Sequence, residues 1–157
     1  MRKIIVGISG SSSPIYGIRT LAALADVNHD PHNMAASVSS GSFKTDGMVV
    51  VPCSMKTLSG IANSYSTDLL TRAADVCLKE RRPLVVVARE TPLHRGHLLN
   101  MLTVTDMGGI ILPPIPGFYA RPKTIADLVD HTVGKILDAL GVDNETFKRW
   151  EGENAEE

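Results

Sequence analysis

The sequence predicts an α/β domain with a doubly wound parallel sheet, and three observations carry that expectation. Short apolar, β-branched runs recur at residues 4–8 (IIVGI), 48–52 (MVVVP), 83–88 (PLVVVA) and 108–113 (GGIILP). Each is too short for a helix and continuous rather than alternating, as in parallel strands buried on both faces. Segments with helical spacing stand between them, so strand and helix alternate. Finally, 157 residues with 43% hydrophobic and 21% charged content suit one domain with a real core.

The elements follow in order. IIVGI is the first strand, and the loop SGSSSP leads into a helix over 15–24. Residues 25–45 (ADVNHDPHNMAASVSSGSFKT) hold no convincing strand, where this fold class expects one. Either a short helix around Met34–Val38 fills the stretch or a strand is missing. MVVVP is followed by CSMKT, which opens a helix-like segment, and by a helix over 66–80 with Leu69, Leu70, Ala73, Ala74 and Cys77 near one face. After PLVVVA come RETPLH and a helix over 96–107. After GGIILP come the proline turn PPIPGFY and a last helix over 124–140, with Thr124 as N-cap, Asp127 in its first turn and Gly141 as its stop. The domain is expected to span 1–143, with 144–157 as a tail ending in the acidic EGENAEE.

Composition excludes several classes. A net charge of −1 gives no bulk attraction to nucleic acid or an anionic membrane, and 4% aromatic content argues against a base-stacking surface. No apolar run approaches the roughly 20 residues of a membrane helix, and the chain runs from Met1 straight into a strand, so a cytoplasmic location is expected. Cys53 and Cys77 form no C-x-x-C pair, consistent with reduced thiols.

Ligands of open α/β sheets lie beyond the carboxyl ends of the strands, so the residues after each run are the candidates. SGSSSP offers small hydroxyls, backbone amides and a helix start suited to phosphate, although it is neither G-x-G-x-x-G nor a P-loop; an ordinary turn and cap is the plainer reading. Ser54 and Thr57 add two hydroxyls at a second helix start, while Ser54 as a simple cap and Cys53 as a buried strand end are the alternatives. Arg89 beside Glu90, with Lys79, Tyr119 and Lys135 as possible neighbours, suits a reaction that expels a phosphate: the cation holds the leaving anion and the carboxylate moves a proton. A structural Arg89–Glu90 ion pair is the competing account. His94 and His97 have metal-like spacing, and His29, Asp30 and His32 cluster, but no third ligand is placed for the first pair, and no metal is expected.

Taken together, SGSS, SSGSF, PCSMKTLSGIA, LLTRAADVCLKERRPLVVVARETPLH, HLLNML, ILPPIPGFY and the Arg149–Trp150 pair resemble the UbiX/Pad flavin prenyltransferases, formerly described as aromatic-acid carboxy-lyases. The resemblance covers nearly the whole chain in order. It implies a Rossmann-like or flavodoxin-like flavin-binding domain, assembled as a homo-oligomer, a dodecamer in such families, with the site shared between protomers. It implies that reduced FMN receives a dimethylallyl group from dimethylallyl monophosphate at N5, followed by ring closure at C6. The prenylated FMN then serves a UbiD-type decarboxylase, without a metal. By position, Gly10, Ser11 and Ser12 look like the first FMN loop, Ser54, Met55, Lys56 and Thr57 like the second, and Arg89 like a further contact. Tyr119 and Lys135 look like prenyl-phosphate binders, Lys79 another aid to the departing phosphate, and Ser12 and Glu90 the candidates for proton movement. An FMN carrier or inactive subunit, and an FMN-dependent aromatic-acid decarboxylase, are the rival readings.

Two departures from the family pattern stand out. Its loop reads like SGASGA, so Ser13 and Pro14 replace Gly and Ala; Ser13 is strained if the backbone there has positive φ, whereas Ser13 at N-cap with Pro14 at N1 is a favoured helix start. The family pattern also carries a strand-helix unit, with a flavin contact and a catalytic Glu, between the counterparts of Leu24 and Ala25. Here roughly 30 or more residues of that unit are absent, about the size of a strand-helix crossover.

Overall fold

The computed structural model describes residues 2–10, 13–24 and 32–149. Four parallel strands, β1 (Ile4–Gly7), β2 (Gly47–Cys53), β3 (Leu84–Ala88) and β4 (Ile110–Ile111), lie side by side in sequence order. Val49 is paired with Val6 on one side and with Val85 on the other, and Val85 in turn with Ile110. Every residue of β2 and β3 is buried. Alternate residues of these strands serve opposite faces, which is why their sequences read as unbroken apolar runs.

One face carries α1 (Pro14–Ala22) and α5 (Ile125–Ala139). There Val49, Val51, Val85 and Val87 pack with Ile136 and Leu140. Arg19 of α1 grips Asp130 of α5 with two nitrogens, at 2.6 to 3.0 Å. The other face carries α2 (Met55–Ala62), α3 (Leu69–Lys79) and α4 (Arg95–Asp106), where Met48, Val50, Cys53 and Val86 meet Leu58, Ile61, Ala73, Cys77 and Val104. The three layers expected of a doubly wound sheet are present.

Local chemistry explains the boundaries. Pro14 opens α1 at N1 and Ser13 precedes it with φ −130°, so the residue that replaces the family glycine occupies ordinary backbone; its side chain makes no capping bond. Asp68 and Thr124 each close a reciprocal capping box, with Thr71 and Asp127. Gly141 ends α5 at φ +67°, in the left-handed region that favours glycine. The fourth strand is much shorter than its apolar run, because Gly108 turns at φ +93° and prolines 113 and 114 follow.

Between Leu24 and Ser37 the chain changes faces. Helix α1 lies with α5, whereas the single 3-10 turn Ser37–Ser39 lies against α3, its Ser39 carbonyl accepting from Arg72 Nε at 3.1 Å. This turn is what the sequence suggested for Met34–Val38, displaced by a few residues. No strand occurs among the described residues of that stretch, so β1 is an edge strand of the described sheet. Accordingly Ile4, Ile5 and Val6 are only half-buried. At the other terminus, Asn144 to Arg149 fold back on α5: Arg149 pairs with Asp138 at 2.7 and 3.0 Å, and the Phe147 ring lies so close to Gly134 that a Cβ there would be 2.1 Å from it. EGENAEE lies outside the described residues.

Candidate functional site

With α1 on one face and α2 on the other, the loops leaving β1 and β2 diverge, and a crevice opens between them at the carboxyl end of the sheet. Ser9 ties its two walls together. The Ser9 N–H and Oγ both donate to the Pro52 carbonyl, at 3.2 and 3.1 Å, and Oγ accepts the Ser54 N–H at 2.8 Å. Gly10 follows, exposed, with nothing within 4 Å of where a Cβ would stand. Ser54 caps α2 by accepting the Thr57 N–H at 3.3 Å, and its hydroxyl donates to Thr57 Oγ1 at 3.1 Å. With Thr57 and Leu58 served by Ser54, the Met55 and Lys56 N–H groups have no partner among the described residues.

Arg89 stands beside this array. Its N–H donates to the Cys53 carbonyl at 3.2 Å, joining the ends of β2 and β3, and its half-buried guanidinium has no partner among the described residues. The expected alternative of an Arg89–Glu90 ion pair is not formed: exposed Glu90 instead accepts the Thr91 N–H at 3.0 Å. Burial pushes the Cys53 thiol up to about 12, so it is an inert strand-end residue. Gly10, Ser54, Met55, Lys56, Thr57, Arg89 and Glu90 therefore gather at one end of the sheet, while Ser11 and Ser12 lie outside the described residues.

Tyr119 and Lys135 form a second group. Tyr119 is 63% exposed in the 3-10 turn Phe118–Ala120 and does not close the core; its hydroxyl is 2.9 Å from His131 Nε2 on α5, and exposed Lys135 follows one turn later. Lys79 does not join either group. It occupies the last turn of α3, paired with Glu80 and next to Gly41, five residues before β3 begins, and thus at the opposite end of the sheet from Arg89. The expectation that it neighbours Arg89 within one chain is corrected on this point: α3 runs antiparallel to the strand it precedes.

His94 is used as a helix cap, its Nδ1 accepting the Gly96 N–H at 3.0 Å, with the His97 ring 3.7 Å away. Among the described residues no group of three or more His, Cys, Asp or Glu side chains is placed to hold a metal; His29 and Asp30 lie outside them. Two residues were missed by the sequence reading. Ser9 was passed over for the serines after it, and His131 carries no motif at all; only the fold brings each to its partner.

A rim of backbone and side-chain donors at the carboxyl end of a doubly wound sheet is the arrangement of a nucleotide-type binding protein, and the comparisons with known proteins specify which. The Flavoprotein family matches residues 28–137. The chain is 47% identical to the flavin prenyltransferase UbiX of Escherichia coli K12, over 97% of this chain and all of that one. It superposes with a TM-score of 0.93 on a UbiX protein (PadA1) in complex with FMN and dimethylallyl pyrophosphate, at 44% identity, covering 97% of this chain and 98% of that one. A dodecameric FMN-dependent UbiX-like decarboxylase from Escherichia coli O157:H7 gives 0.91 and 42%, covering 96% and 100%. The chain is a flavoprotein, and within that class it belongs to the UbiX flavin prenyltransferase family. The Escherichia coli K12 alignment runs over 188 positions while taking in 97% of the 157 residues of this chain, so at least 31 positions of the relative have no counterpart here.

The described residues fit FMN. Beside the open Gly10, the Met55 and Lys56 amides and the Arg89 guanidinium are donors without acceptors among the described residues, all at one rim, as a bound phosphate ester requires.

Proposed function

We propose that this chain catalyses its family's reaction, transferring a dimethylallyl group from dimethylallyl monophosphate to reduced FMN. The observation that carries the reading is the rim of donors that have no partner among the described residues, held in register by Ser9. Gly10, Ser11 and Ser12 with Ser54 to Thr57 hold the FMN phosphate, and Arg89 makes a further contact. Bound reduced FMN supplies the nucleophilic N5 and C6 that the allylic group meets. Tyr119 and Lys135 hold the prenyl phosphate: as its C–O bond breaks, the electron pair leaves with the phosphate, and a donor and a cation there stabilise the charge that develops. Ser12 and Glu90 move protons.

Lys79 faces the wrong end of its own sheet and serves the site of another copy, which requires a homo-oligomer. The UbiX-like dodecamer supports such an assembly. A UbiD-type decarboxylase receives the product, in the cytoplasm; no described helix is long and apolar enough to cross a membrane.

Anaerobic incubation with reduced FMN and dimethylallyl monophosphate, followed by mass analysis of the flavin, tests the reading. A gain of one dimethylallyl unit is expected. FMN bound but unchanged makes the chain a carrier, and no FMN bound rejects the assigned loops.

A further inference from the structure

We infer that His131 is a positioning residue that fixes the Tyr119 hydroxyl for the substrate phosphate; the inference rests on the assignment of Tyr119 to the prenyl phosphate. Tyr119 needs such a partner. The turn that carries it contains no buried residue, its neighbour Phe118 is 71% exposed, and Tyr119 itself is 63% exposed. An exposed tyrosine samples several rotamers, and a phosphate contact must select one of them at an entropic cost. The hydrogen bond to His131 Nε2 at 2.9 Å is the hydroxyl's one polar contact among the described residues.

The imidazole, by contrast, is clamped. Gly117 lies against it so closely that a Cβ there would be 2.9 Å from His131 Cε1 and 3.2 Å from both ring nitrogens. Phe147 meets the ring edge-on at 5.0 Å and 73°, and Tyr119 does so at 5.6 Å and 82°. The backbone beneath is the second turn of α5, anchored by the Thr124–Asp127 capping box and by the Arg19–Asp130 pair. Three elements thus converge on one imidazole: the 117–120 turn, α5, and the returning segment that carries Phe147. The imidazole transmits their rigidity to a phenol that has none of its own, and Lys135, one turn further on, presents its cation from the same helix.

The test compares His131→Phe, His131→Asn, His131→Gln, Tyr119→Phe and the double variant Y119F/H131F, each in the full chain. Calorimetric affinities for FMN and for dimethylallyl monophosphate are measured separately, together with the spectrum of protein labelled with 13Cζ-tyrosine, in which only Tyr16, Tyr65 and Tyr119 contribute. Phe keeps the ring packing without the nitrogen, and Asn is polar but too short to reach. Both are expected to weaken dimethylallyl monophosphate about five- to tenfold, the effect of one hydrogen bond, with FMN affinity within about twofold. Gln is expected to restore binding, and H131F should add nothing in the Y119F background, because His131 acts only through Tyr119. The Tyr119 resonance should move in H131F and return toward its native position in H131Q. Native affinity in both the Phe and Asn variants, or a further full loss in the double variant, overturns the proposal alone. Native affinity in Y119F removes the phosphate assignment of Tyr119 itself, and the inference with it; the tyrosine spectrum still reports whether the His131 contact exists.

Discussion

Ser9 bears no charge and stands in a run with three other serines, yet it spans the crevice. Ser9→Ala removes both its bonds and leaves the Ser54 N–H unpaired, a loss of about 1–3 kcal/mol. The expected result is FMN affinity reduced about tenfold or more, recovered by Ser9→Thr, as read by flavin fluorescence. This residue was illegible beforehand because its partners lie 43 and 45 positions away. The opposite holds for Pro14, whose favoured N1 placement follows from local rules alone. The cysteines were also legible. Burial pushes Cys53 to about 12 and Cys77 to about 11, so neither should react with a thiol reagent at pH 8 until the protein unfolds. Unfolded thiols ionise near 8.5, and the folded state binds these protons more tightly. Their contribution to stability is therefore intact below about pH 8.5 and is lost as the pH rises toward 11 and 12, which a denaturant series from pH 8 to 10 would record as falling stability.

Helices and strands were readable where one local signal decided them. The capping box at Thr124 and the glycine at 141 fix both ends of α5, and continuous valines could only be two-faced strands. Thr124→Ala should cost about 1 kcal/mol and lower the melting temperature by roughly 2–4 °C in a scanning experiment. Element ends set by distant packing were less readable. Gly17 is the case in α1: a Cβ there would be 2.6 Å from the Val51 carbonyl and 2.9 Å from Ile8, so the helix seats on the sheet only with glycine at that point. Gly17→Ala is expected to destabilise by about 1–3 kcal/mol, measured by chemical denaturation. The direction of α3 had the same character, since nothing in its sequence states which rim Lys79 will occupy.

At the scale of the whole molecule, α4 is apolar on more than one side. Leu98, Leu99 and Leu102 are 53%, 48% and 56% exposed, beside exposed Leu93 and Ile110. A face of this kind suits the assembly proposed above, in which copies cover one another. Replacing Leu98, Leu99 and Leu102 together by serine should shift light-scattering mass toward that of a monomer while the isolated chain keeps its fold, because none of the three belongs to the buried core. Sequence patterning showed the alternation of strand and helix and the two-faced sheet but not the outer surface, since exposure depends on what the rest of the chain leaves uncovered.

The passage between faces from Leu24 to Ser37 has a consequence for how such chains diversify. Its described ends lie on opposite faces, α1 beside α5 and the Ser37–Ser39 turn beside α3, at the edge of the sheet that β1 forms among the described residues. Chain lost there takes with it, on the family pattern, a strand, a flavin contact and a carboxylate together, so sheet width and ligand chemistry are inherited as one trait.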